Sequence, residues 1–132
     1  MIKTLVDHHV AVTSTIAVWE QFALHPAASE RVLDALSESD RKISEDSRLI
    51  ELKKMTDGTP HEKEKHERFV RMLEKEKEFQ RAFVRAGGLL LAGSDAVIDV
   101  FIAGYGDQRE VEMLVEGGFT PEQAIQIASL NF

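Results

Sequence analysis

Few stretches of this chain carry residue types whose spacing could do chemistry. The first is "LLLAGSDA", residues 89–96, where an apolar run passes through Gly93 and Ser94 into a bare carboxylate, Asp95. Alternating α/β folds gather their chemistry at the C-terminal ends of strands. An acid placed there either accepts nearby backbone N–H groups, as a turn or cap residue does, or holds a metal and takes a proton from a water. On local sequence both readings stand.

The other clusters read more simply. "HEKEKH" resembles a zincin motif, but His61 and His66 are five positions apart. That is about 140° around a helix of ~3.6 residues per turn, whereas the zinc motif needs histidines four apart on one face. A solvated helix face is the better reading. "DHH" puts His8 and His9 before a strand, the wrong end for a ligand site in a parallel fold. "GYG" at 104–106 lacks the rest of a dinucleotide fingerprint and reads as a loop. The hydroxyls of "TST", residues 13–15, either line a pocket or pair with backbone groups.

The elements that must position these residues follow from hydropathy patterning. "VAVTSTIAV", 10–18, is rich in β-branched residues and reads as a strand with both faces apolar. Residues 20–86 read as a long helical excursion. Its first helix spans "WEQFALHPAASERVLDALSES", with Pro26 in a first turn and Val32, Leu33 and Leu36 on one face. A second piece, "SEDSRLIELKKM", ends at the turn residues of "TDGTP". The longest helix runs over 61–86, with Phe69, Met72, Leu73, Phe79 and Phe83 recurring at helical spacings until Gly87-Gly88 stops it. A short strand over 89–94, a glycine-bearing loop and two helices within 107–131 complete the chain. The first of these helices turns Val111, Met113, Leu114 and Val115 inward and closes at Gly117-Gly118. The second opens on Thr120, Pro121 and Gln123, a capping box. The order predicts one α/β domain with a parallel sheet of unusually few strands.

Composition narrows the partners. The chain has 132 residues, a net charge of −7 and no cysteine. The acidic balance argues against nucleic acid. Without cysteine there are no disulfides, thiolate metal sites or thiol nucleophile. No stretch approaches the ~20 apolar residues of a membrane span, and the N-terminus does not read as a signal peptide, so a cytoplasmic protein is expected.

"RAGGLLLAGSDA", followed by "GYGDQREVEMLVEGGFTPEQAIQIASLN", resembles the C-terminal part of the metal-dependent amidohydrolase superfamily, closest to its imidazolonepropionase-like and Xaa-Pro dipeptidase-like branch. "VAVTSTIAV" is similar to the preceding strand of that family, and His9 falls about where the family often has glycine. The resemblance implies a (β/α)8 barrel, a divalent metal, commonly zinc, and hydrolysis of a C–N bond in a cyclic amide or dipeptide by a metal-bound water. It assigns Asp95 as metal ligand and catalytic proton shuttle, with Ser94, Tyr105 and Gln108 as pocket-lining candidates. The family's His-x-His on the first strand, and its ligands on the fourth, fifth and sixth, have no counterpart here. Such a barrel needs ~250 residues. The expectation is therefore the last two strands of a barrel with their helices, truncated at both ends. One carboxylate does not hold zinc alone, so the isolated chain is expected to be inactive. Its exposed strand edges predict a homo-oligomer that completes the fold. The rival reading is a non-enzymatic helical interaction module built on the phenylalanine stripe of 61–86.

Overall fold

The computed structural model describes residues 1–22, 34, 36–95 and 104–131. Pro26, Val32, Leu33 and most of the loop before Tyr105 lie outside them. In chain order the elements are α1 (Ile2–Asp7), β1 (Val12–Ser14), α2 (Ile16–Phe22), α3 (Glu38–Asp57), α4 (Pro60–Arg85), β2 (Leu90–Ala92), α5 (Tyr105–Glu116) and α6 (Pro121–Ser129). The chain is a helix-rich α/β structure. Its two described strands pair in parallel, with Val12 opposite Leu90, Thr13 opposite Leu91 and Ser14 opposite Ala92. No helix among the described residues is long and apolar enough to cross a membrane.

Local signals set most boundaries. Thr59 caps α4 through a reciprocal box with Glu62, and Pro60 fills the first helical position. The same arrangement opens α6, where Thr120 and Gln123 satisfy each other's backbone N–H groups as expected. At the end of α4, Gly87 adopts φ 86°. The Gly88 N–H then donates to Phe83 and the Gly87 N–H to Val84, a Schellman closure. Gly118 repeats it after α5, with Phe119 donating to Leu114. Gly88 also packs where any Cβ would strike the buried Phe83 ring.

The sequence reading did not foresee α1, which closes with the same Schellman pattern. His9 and Val10 donate to Val6 and Leu5, but the left-handed position is held by His9 at φ 53°. A side chain there costs about 1–2 kcal/mol, part of which glycine's larger unfolded-state entropy offsets. His9→Gly is expected to raise stability by about 0.5–1 kcal/mol in urea melts. A loss would show that the imidazole makes a contact the fold needs.

The expected strand over 10–18 is corrected. β1 ends at Ser14, and Ile16 opens a helix. The β-branched run was read as extended, yet its second half finds helical hydrogen bonding because a carboxylate from α5 takes the first amides, as described below. α3 also starts earlier than expected, at Glu38, because Ser37 caps it by accepting from the Asp40 N–H at 3.2 Å. The last strand shortens to Leu90–Ala92. Tyr105 and Gly106, expected in a loop, form the first turn of α5.

The core gathers Ile16 and Ala17 of α2, Leu73 and Phe83 of α4, Leu90 of β2, Met113 and Leu114 of α5, Phe119, and Ala124 and Ile127 of α6. The phenylalanine stripe of α4 thus covers the chain's own core. Phe83 is fully buried with Phe79 stacked on it, and Phe69 lies 6.2 Å from Trp19 between ring centroids. Met72 and Val70 stay exposed, and Val115, expected to point inward, is also exposed.

Candidate functional site

The parallel register places the exits of β1 and β2 side by side. Ser14 and Thr15 leave one strand; Gly93, Ser94 and Asp95 leave the other. The Gly93 N–H donates to the Ser14 carbonyl at 2.9 Å, so the pairing continues one step past β2. Gly93 also lies against the Thr13 methyl, where an added Cβ would stand 3.2 Å from it. Just beyond, Asp95 turns into the left-handed region at φ 46° and is exposed. Asp tolerates that backbone better than most residues. Among the described residues no N–H group donates to its carboxylate, so the cap that local sequence allowed is not seen there.

Ser94 is half-buried beside Asp95, and Tyr105 is half-buried in the first turn of α5, which packs against β2. Gln108, one turn further, is exposed. The fold brings Asp95 and Ser94 to one strand exit. Tyr105 and Gln108 belong to the neighbouring helix, with no hydrogen bond linking them to Asp95 among the described residues. His8 and His9 are exposed between α1 and β1. A separate groove, lined by Met1, Arg68, Met72, Lys75 and Phe79, includes none of the four predicted site residues.

The family resemblance implies a metal. Among the described residues no group of three or more His, Asp or Glu side chains could hold an ion. Catalytic zinc normally takes about three protein ligands. Asp95 is one oxygen donor, and the described residues do not fit a complete metal centre.

The residue that sequence reasoning missed is Glu110. It is 1% exposed, in the middle of α5's apolar face with Gly106, Met113 and Leu114. Ser14 donates its hydroxyl to this carboxylate. The Ala17 N–H donates to it at 2.8 Å and the Ile16 N–H at 3.3 Å. Glu110 thereby satisfies the opening amides of α2 and fixes the mouth of β1. Burial pushes its carboxyl above the usual range, against the pull of the Ser14, Ala17 and Ile16 donors. Buried and bonded to three donors, it positions the start of α2 against the end of β1. The sequence signal is an acid at helical spacing within an apolar stripe.

Next to it, Arg109 grips Glu20 of α2 with two bonds, Nε at 2.9 Å and Nη2 at 2.6 Å. Glu20 is 4% exposed. Arg109 also reaches Glu116 at 2.7 Å and Glu112 at 3.2 Å. Its hydrogen bonds to Glu20 lead in holding the guanidinium charge more firmly than usual. Two consecutive residues of α5 therefore clamp α2 at its start and at its fifth residue.

Comparison with protein families, with curated proteins and with solved structures finds no match to this chain.

Proposed function

We propose that this chain is the C-terminal part of a metal-dependent amidohydrolase, supplying the last two strands of a (β/α)8 barrel. Its reaction is hydrolysis of a C–N bond in a cyclic amide or dipeptide. The observation that carries the reading is Asp95, an exposed carboxylate at the C-terminal exit of a parallel strand, with no N–H donor among the described residues. If other segments completed a metal site at this exit, Asp95 would be the ligand this chain contributes, and the metal would supply an activated water. The backbone bond from the Gly93 N–H to the Ser14 carbonyl supports the same reading, because it keeps the two strand exits side by side.

One carboxylate is an incomplete donor set for a catalytic metal. The isolated chain is therefore proposed to be inactive and without stoichiometric zinc until another polypeptide, or further copies, supply the remaining ligands. The test grafts residues 1–132 in place of the matching C-terminal segment of an imidazolonepropionase-like enzyme. The chimera is expected to hold divalent metal and turn over. Asp95→Asn in that chimera is expected to lose turnover with the fold intact by circular dichroism. Unchanged turnover in the Asp95→Asn chimera would sink the reading.

The rival interaction module resting on the α4 stripe has less support, since Leu73 and Phe83 are spent on the chain's own core.

A further inference from the structure

Helix α3 turns to solvent a stripe that the fold leaves uncovered. Ile43, Leu49 and Ile50 are 55%, 52% and 55% exposed. At ~100° per residue, these three share a face about 120° wide with Lys42, Asp46, Lys53 and Asp57. All seven side chains are exposed. Ser44, on the far side of the helix, is buried. Among the described residues the four charged members of the face form no ion pair within the chain, whereas Arg41 nearby is held by Asp34 and Glu45. The face carries two positive and two negative charges, in a chain whose net charge is −7.

We propose that this face is the interface of an antiparallel homodimer. A two-fold interface must be complementary to itself, because the same patch serves both copies. Let the axis pass between Leu49 and Ile50. Asp46 then meets Lys53 of the second copy and Lys42 lies level with Asp57, while Leu49 and Ile50, about 100° apart around the helix, flank the axis and each approaches its own symmetry copy. Each charge lies level with its opposite, and Leu49 and Ile50 border the inner Asp46–Lys53 pairs. The parallel alignment in register does the reverse, setting Asp46 on Asp46 and Lys53 on Lys53. Elsewhere two acidic copies repel each other, so a locally neutral, self-matching face is where they can approach. Exposed ion pairs fix direction more than strength. The apolar contact is small, so the dimer is weak and concentration-dependent. This inference shares no residue with the Asp95 site and stands whether or not the hydrolase reading does.

The test is sedimentation of the full chain over a wide concentration range, with charge reversal. The wild type is expected to pass from monomer to dimer as concentration rises. Lys53→Asp turns both symmetry-related Asp46 pairs repulsive and is expected to weaken the dimer about ten-fold or more. Asp46→Lys should do the same. The double variant Asp46→Lys/Lys53→Asp restores opposite charges and is expected to recover the wild-type constant within a few-fold. Both positions are exposed, so circular dichroism should show the fold unchanged. The chain has no cysteine, so Ile50→Cys gives a single thiol beside the axis. It is expected to cross-link two copies on mild oxidation, whereas Glu38→Cys, at the helix end, is not. A wild type that stays monomeric at all concentrations overturns the proposal. So does a dimer that ignores the single reversals, or one that the double variant fails to restore.

Discussion

Glu110→Ala is expected to cost the chain about 3 kcal/mol of stability in urea denaturation. The substitution removes the acceptor of the Ser14 hydroxyl and of the Ile16 and Ala17 amides in one step. Each buried donor left without a partner costs about 1–3 kcal/mol, and a water entering the space recovers part of it. Glu110→Gln preserves volume and one acceptor oxygen, so it should cost less than alanine. Measured loss below about 1 kcal/mol for alanine would mean that α2 caps itself.

The same residue gives stability a pH dependence of known sign. Burial raises the Glu110 carboxyl in the folded chain above its unfolded value. The folded state therefore keeps this proton to a higher pH than the unfolded state does. Glu110's contribution is complete below the ordinary glutamate range and falls as pH rises through the raised folded value. Glu110→Gln cannot titrate. The stability of wild type relative to Glu110→Gln is expected to decline across that window, and a difference flat with pH would refute it.

Arg109→Met is expected to be nearly as damaging, about 3 kcal/mol, because it strands the Glu20 carboxylate in a buried position. The magnitude reflects the charge left behind rather than the worth of the pair. Removing both charges with Glu20→Leu/Arg109→Met should then return much of the loss, since well-packed apolar replacements of buried ion pairs are often near neutral. A double-mutant cycle by chemical denaturation checks this. If the double variant is as unstable as the sum of the singles, Arg109 acts chiefly through Glu112 and Glu116 on the surface instead.

Much of the architecture was legible before any coordinates. The long α4 was read to within a residue of each end, because its apolar positions recur at helical spacing and its stop signal is a glycine pair. Thr120, Pro121 and Gln123 announced α6 in three residues. The parallel pairing of the two strands also agrees with the alternation of elements. Of the candidate site, Asp95 was legible as an acid at a strand exit. What was not legible was its environment, since no residue spacing reports which groups face it. Ile16 to Phe22 was misread at its start because Val, Thr and Ile favour strands in isolation. Ser37 caps α3 although "SES" reads equally well as the tail of a preceding helix.

Neighbours three or four positions apart suffice to fix the extent of α4, the capping box of α6, the glycine stops and most of the apolar stripes. The sequence by itself also determined the acidic balance and the absence of thiols. Only the tertiary structure decided where β1 ends and α2 begins. That boundary is set by Glu110, which lies 96 positions from Ser14. The Arg109–Glu20 grip likewise closes over 89 positions. Local propensity differs between strand and helix by about 1 kcal/mol per residue at most. A buried carboxylate that satisfies three donors outweighs it. The pattern of residues could mark Glu110 as out of place on an apolar face, but the partner that justifies its burial exists only once the chain has folded.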